Sequence, residues 1–447
     1  MTAAMAIALA VLAACGSSGK SSSNTTTAGS SAAQQSTAPG IGVTPTAIKV
    51  GVALVNFDCI KQFTDQLRIN QDKTYQAFID DINAKGGIAG RKIVPVYKNY
   101  CPLGSAAPLQ VCTSLTQDQK VFAVVGSFID FSGDAQTCVA NQNHTALMTF
   151  NLTQQIMSKS PPGLMIYPGV TNERLVKVLL QLLKKEKTLD GKTVATLGGT
   201  TETNTVNNVI VPGLKDIGVK TGSTAILSIG GSGDTTQAQQ QLDSFIERWK
   251  TEGVDAIFIS GDTASSKQFV EKIRKAMPKV MLLADNTDVL MSGQQETHAG
   301  VKPNPYEGIT TAGGPTAHEY DQSDHWKYCA AIYEKYTKKH APNAEEVVPA
   351  PGGKTYDTYG SINDACQVLS LFHDIVAKVG KYLNNTNWVN TVNSLGKVDN
   401  KGGGQYASLH TGKYDIDDTF RLEEFDSSIA PQGNWKPLTS LENIPGQ

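Results

Sequence analysis

The sequence predicts an α/β protein built on two parallel-stranded sheets, and three observations carry that prediction. A strand, an amphipathic helix, a glycine-rich turn and a second strand follow one another between residues 48 and 97. Strand and helix patterns then keep alternating, once as far as residue 150 and again from 164 to 284. The length, 447 residues, suits two domains or slightly more.

Residues 48–55 read as an apolar strand. Tyr75, Phe78, Ile79 and Ile82 recur at i, i+3, i+4 and i+7, the stripe of an amphipathic helix. Gly86 and Gly87 stop that helix, because a glycine just past the last turn takes the left-handed conformation without a Cβ clash. Gly90 allows another tight turn, and Ile93, Val94, Val96 and Tyr97 read as a buried strand. Pro95 within it suggests an edge or a bulge. A strand–helix–strand order implies a crossover between parallel strands.

The run Ile82-Asn83-Ala84-Lys85-Gly86-Gly87-Ile88-Ala89-Gly90-Arg91 resembles the turn after the first helix of type I periplasmic binding proteins, the leucine/isoleucine/valine-binding group. The resemblance implies two Rossmann-like lobes with parallel central sheets, joined by a three-stranded hinge. The lobes would close on a small ligand that is passed to an ABC permease.

The N-terminus fits export. Residues 1–14 are nearly all Ala, Leu, Ile, Val and Met, too short to span a bilayer and suited to a signal-peptide core. Leu12-Ala13-Ala14-Cys15-Gly16 resembles a bacterial lipobox, which implies lipidation of Cys15. No positive n-region precedes it, so the true start is expected upstream. Residues 16–43 are expected to act as a flexible linker, being mostly Ser, Thr, Ala, Gly and Gln. With Lys+Arg 39 against Asp+Glu 41 there is no basic stripe, so nucleic acid is not an expected partner.

Setting Cys15 aside, six of seven cysteines remain, an even number in an exported chain. Their spacing alone leaves 15 pairings open. Topology favours Cys59 with Cys101, which both follow strands of the first series. It likewise favours Cys112 with Cys138 on successive helices, and Cys329 with Cys366 on two late helices. There is no C-x2-C and no Cys beside a His, so no metal is expected.

In open parallel sheets, ligands bind beyond the carboxyl ends of the strands. In the first series, with strands at 48–55, 92–97, 121–126 and 146–150, this singles out Phe57, Asp58, Phe128, Asp130, Phe131, Ser132, Phe150, Asn151 and Thr153. Ser132 with Gly133-Asp134-Ala135 reads as a helix N-cap. The resemblance implies that this turn offers hydroxyls and N–H groups to a ligand carboxylate. The sequence departs from that pattern: Phe128-Ile129-Asp130-Phe131 replaces the hydroxyl-rich run, and Asp130 and Asp134 add negative charge. Two readings stay open. Either Asp134 caps its helix and the phenylalanines are core, or the site takes a larger, partly apolar or amide-bearing ligand.

The second series reads as strands at 164–169, 193–198, 225–229, 253–259 and 280–284, with helices between, the first at 171–187. Its carboxyl-end loops single out Thr200, Thr201, Asn204, Asp262, Asp285 and Asn286. Asp262 or Asp285 could hold a cationic amine, or each could be a cap or turn residue. A strand at 306–312 and helices at 326–339 and 356–377 follow. Tyr356-Asp357-Thr358-Tyr359-Gly360-Ser361, Gly412-Lys413-Tyr414-Asp415 and Phe420-Arg421-Leu422-Glu423 resemble the family's Tyr-containing helix start and closing strands. The resemblance predicts crossings near Pro168, Gly313 and Tyr414. Lobe I would then be 44–168 plus 314–412, and lobe II 169–313 plus 413–447.

Enzyme motifs fail. Gly191-Lys192-Thr193 lacks the phosphate-loop glycine, Glu186 standing in its place. Asp234 stands where Gly-x-Ser-x-Gly needs its last glycine. His318 to His325 reads as a solvated loop. The expectation is a monomeric, non-catalytic, lipid-anchored extracytoplasmic solute-binding protein without a cofactor. It would serve an ABC permease and ATPase and bind a branched-chain amino acid or a related amide or apolar compound. A sensor feeding a signalling partner is the alternative, and an exported enzyme on this architecture a third.

Overall fold

The computed structural model describes residues 36–62, 64–130, 132–228, 235–285 and 288–446. Cys15, residues 16–35, Phe131 and Asn286 therefore lie outside the described residues. Strands β1 (Ala47–Val55), β2 (Lys92–Tyr100), β3 (Ala123–Gly126), β4 (Ala146–Thr149) and β5 (Met165–Ile166) form an all-parallel sheet in the order β2-β1-β3-β4-β5. Val50, Val52, Ala53 and Leu54 are all buried, as befits a strand covered on both faces. Pro95 sits on β2, an edge strand, where a missing N–H is tolerated.

Helix α1 (Gln71–Ala84) buries Tyr75, Phe78 and Ile79 against this sheet. It ends as the glycine pair predicts: Gly87 N–H donates to Ile82 O (2.9 Å) at φ +74°. A Cβ at residue 87 would strike the Arg91 carbonyl, so only glycine fits. Arg91 of the same motif is buried and ties the turn to distant backbone. Its guanidinium donates to the carbonyls of Thr44 (3.0 Å), Gly380 (3.3 Å) and Lys381 (2.6 Å).

The second sheet comprises β6 (Thr193–Gly199), β7 (Lys220–Leu227), β8 (Ala256–Ile259), β9 (Met281–Ala284), β10 (Thr310–Gly313), β11 (Thr419–Asp426), β12 (Asn434–Pro437) and β13 (Glu442–Asn443). Its order is β12-β11-β10-β9-β8-β6-β7, with β13 also against β11. Strands β6 to β10 are parallel, but β11 runs antiparallel to β10, and β12 and β13 antiparallel to β11. The sheet is thus mixed, not purely parallel: β11, reached after the chain's excursion to the first sheet, joins β10 antiparallel, and the turn after Asp426 folds β12 back on it as a hairpin. The stretch 164–169 is also reassigned. Met165 and Ile166 pair with Leu147 and Met148, closing the first sheet instead of opening the second.

Helix α2 (Asn172–Lys185) buries Leu175, Leu179, Leu182 and Leu183 and packs on β10 and β11. Helices α3 (Asp324–Thr337) and α4 (Thr358–Val379) pack on α1, on the side of the first sheet. The chain therefore leaves the first sheet after Ile166, returns to it after β10 and rejoins the second sheet at β11. Cys59–Cys101, Cys112–Cys138 and Cys329–Cys366 are the disulfides, the pairs that topology favours. Residues 317–321, expected as solvated loop, form a short helix capped by a Thr316–Glu319 capping box.

A buried ion network closes the region between the sheets. Arg174 Nη1 bonds Asp415 (2.9 Å) and Arg174 Nη2 bonds Asp418 (2.6 Å). Lys413 Nζ lies 3.2 Å from Asp418. Thr171 donates to Asp415 through both N and Oγ1, each at 2.9 Å. From α4, Gln367 donates to Pro168 O and to Asn400, which in turn donates to Asp417. Burial pushes the Asp417 carboxyl up to about 7, outweighing the Arg174 charge.

Candidate functional site

The carboxyl ends of the two sheets hold the sequence-predicted residues in unequal roles. After β1, Asn56 accepts from Asp58 N (3.0 Å) and shapes a short turn. Phe57 is half-buried and Asp58 exposed. Both line a cavity of about 620 Å³ with Arg68, Lys354 and Tyr356. Arg68 is held there by Asp357 (2.8 Å) and Asp364 (2.5 Å).

After β3, Phe128 is fully buried and packs edge-on against Tyr100, so it belongs to the core and not to a ligand wall. Asp130 is buried and committed. Its carboxylate accepts from Ser132 N (3.1 Å), Ser132 Oγ (2.9 Å) and Ala135 N (2.8 Å). Ser132 Oγ itself accepts from Asp134 N (3.2 Å). The start of the helix Asp134–Thr137 is thus satisfied by Asp130 and Ser132, and Asp134 is exposed and caps nothing. An internal carboxylate fills the place where the resemblance puts a ligand's. After β4, Phe150 meets Tyr167 edge to face at 6.3 Å. Asn151 is exposed at φ +61°, and Thr153 caps the next helical turn by accepting from Ile156 N (3.1 Å).

On the second sheet the loops after β6, β8 and β9 converge. Glu202 accepts from Gly199 N (2.8 Å) and Thr201 Oγ1 (2.7 Å) and packs on Gly261. A Cβ at residue 261 would lie 2.5 Å from Glu202 Cγ, and φ is +57°, so glycine is required. Asp285 is fully buried and accepts from Ser260 Oγ and Gly261 N, each at 2.7 Å. It holds the turn, and burial pushes its carboxyl up to about 6. Asp262 is reached by water yet largely enclosed, and desolvation raises its pKa. Asp288, the first residue of the next helix, is pushed up to about 6, first by desolvation and then by the Asp262 charge. Thr200 and Thr201 are exposed, and Asn204 accepts from Asn208 Nδ2 (2.7 Å).

The field of Asp288 reaches the Tyr167 hydroxyl, whose pKa is raised mainly by burial, then by Asp417, Asp288, Asp415 and Asp364. Among the acidic loop residues of the second sheet, Asp288 is the one whose charge acts on Tyr167, the ring partner of Phe150. Glu202, Asp288 and Tyr167 were not among the sequence candidates. Glu202 lay within the chosen loop beside two threonines, and Tyr167 lay inside the stretch 164–169, read as a strand of the other sheet.

These carboxyls set a pH response. A carboxyl raised on folding stabilises fully below the ordinary carboxylate range, and that contribution is lost as pH rises through its folded value. Asp285, Asp288, Asp417 and Glu423 have folded values of about 6, 6, 7 and 8, each raised first by burial. The urea midpoint is expected to fall from pH 5 to pH 8, and Asp417→Asn to flatten the fall. A midpoint that rises over that range contradicts the assignment.

A family model described as a periplasmic binding protein matches residues 69–348. No curated protein sequence matches the chain. Among solved structures, a leucine-, isoleucine-, valine-, threonine- and alanine-binding protein from Brucella ovis, in a closed conformation, superposes with a TM-score of 0.63 at 13% identity, covering 89% of this chain and 95% of that one. An ABC-transporter solute-binding protein from R. palustris in complex with 4-hydroxybenzoate gives 0.62 at 15%, covering 89% and 98%. A fatty acid ABC transporter substrate-binding protein from Thermomonospora curvata gives 0.58 at 18%, covering 91% and 95%. These likenesses concern the fold, two lobes of mixed α/β structure.

Proposed function

The chain belongs to the periplasmic binding protein family, and on that premise we propose that it is the extracytoplasmic solute-binding subunit of an ABC importer. Lobe I is 44–168 plus 314–412, and lobe II is 169–313 plus 413–447. Cys15 carries the lipid anchor, residues 16–43 are its leash, and the protein acts as a monomer without catalysis. The observation that carries the reading is the reach of the Asp288 charge, beside Asp262 at the second sheet, to Tyr167, which forms an edge-to-face pair with Phe150 at the first. A ligand touching both sides shifts the lobes toward closure by its differential affinity for the closed form.

The ligand we propose is an apolar amine, a branched-chain amino acid or its amide. The acidic side favours an ammonium group, and the aromatic pair offers an apolar wall. Asp130 already satisfies the helix start after β3, which favours the amide over the free acid. Thermal-shift titration with leucine, isoleucine, valine, their amides, 4-hydroxybenzoate and a fatty acid tests this. At about 100 times its Kd, the right ligand adds about 2.7 kcal/mol of stability. Failure of all the amines, or a shift from the anions alone, removes the proposed ligand class.

A further inference from the structure

The region between the sheets contains a second cavity, of about 710 Å³, that none of the strand-edge residues lines. One wall is Met157, Ser160 and Pro162, just before β5 of the first sheet. The other is Arg174, Lys177 and Val178 of α2, on the second sheet, and Lys413 and Ile444 complete it. Its size lies within the range of small-molecule sites.

Three features of this wall point to a ligand. Ser160 is more than nine-tenths buried, yet its hydroxyl has no hydrogen-bond partner. Arg174 Nε is likewise buried and unpaired. Residue 446 leaves that atom room only as glycine, since a Cβ there would stand 2.9 Å from Nε. A buried donor without an acceptor costs about 1–3 kcal/mol, which an occupant with acceptor oxygens would recover. Of the wall's three cationic side chains, Arg174 and Lys413 are engaged by Asp415, Asp418 and backbone carbonyls, which leaves the exposed Lys177, with no ion pair among the described residues, as the cation open to a ligand. Asp415 already accepts from Thr171 N, Thr171 Oγ1 and Arg174 Nη1 and offers little to a ligand. Asp418, which also pairs with Arg174 and Lys413, lies outside the lining.

We infer that this cavity is a second ligand site, taking a small organic anion: its acidic head meets the Ser160 hydroxyl, Lys177 and the unpaired Arg174 Nε, and its apolar body lies on Met157, Pro162 and Val178. The inference does not depend on what fills the strand-edge cleft.

Octanoate is the probe and octylamine its charge-reversed control, each titrated calorimetrically into the wild-type chain and into Ser160→Ala, Lys177→Glu and Phe150→Ala. Expected is saturable octanoate binding that weakens by about tenfold or more in Ser160→Ala and in Lys177→Glu. It should be unchanged in Phe150→Ala, and octylamine should not bind at this site. Unliganded melting curves of the variants check that each is folded. Octanoate binding that survives both Ser160→Ala and Lys177→Glu, that is lost in Phe150→Ala, or that is absent at millimolar concentration overturns the inference.

Discussion

Replacing Arg174 with alanine will lower the unfolding free energy by about 3–5 kcal/mol, because it leaves two buried carboxylates, Asp415 and Asp418, to share Lys413 as their one remaining cation. Asp415 and Asp418 are 3% and 2% exposed, and both bond this one guanidinium. Arg174 Nη2 also donates to the carbonyls of Asp417 and Ile444, so the side chain holds the closing strand to α2. Arg174→Lys should recover only part of the loss, since a single ammonium cannot serve such divergent acceptors. The exposed pair Lys185–Glu442 is the control: it also links α2 to a closing strand, but Glu442→Gln should hardly move the midpoint. Urea unfolding measures all three. A loss in Arg174→Ala as small as that of the control would show that the network is not needed to hold the sheets together.

Reducing the disulfides will split unfolding into two transitions. Loops of 42, 26 and 37 residues are closed by the three bridges. On the chain-entropy account each bridge is worth about 3–4 kcal/mol, so together they rival the whole stability of an ordinary domain, about 5–15 kcal/mol. All six of these cysteines belong to the first sheet and the helices packed on it, and the core of the second sheet has none. In reductant the first-sheet core should therefore unfold at low denaturant while the second keeps its midpoint. Tryptophan reports on both: Trp326 and Trp388 lie in the first core, Trp249 and Trp435 in the second. Trp→Phe pairs separate the two signals. One unshifted transition in reductant would contradict the assignment.

Much of this architecture was legible because hydrophobic periodicity reports burial directly. The stripe Tyr75–Ile82, the glycine stop after it and the leucines of α2 all lie where spacing placed them. What spacing could not supply was pairing. A two-residue strand such as Met165–Ile166 carries no sign of which sheet it joins, so it was read into the wrong one. The antiparallel course of β11 against β10 follows a long excursion of the chain to the first sheet, and strand direction after such an excursion leaves no local signal.

The candidate site was legible at the level of loops and less so at the level of side chains. Asp130 and Asp285 were sensible ligand candidates by position. The structure uses both to satisfy local N–H and hydroxyl groups, a competition that depends on turn geometry and leaves no pattern in composition. Phe128, in the loop just past β3, likewise turned inward, its N–H donating to Thr149 Oγ1 (2.7 Å), while Phe150 remained half-buried. Glu202 is recognisable only once Gly261 is seen beneath it.

The central claim is that these lobes close on a solute held between the strand edges. Small-angle scattering of the protein with and without the ligand found by thermal shift tests it most directly, alongside Asp262→Asn. The account predicts a smaller radius of gyration on saturation, and in Asp262→Asn a higher ligand concentration for the same contraction. A ligand that saturates the protein while leaving the radius unchanged, or a contraction indifferent to Asp262→Asn, would contradict it.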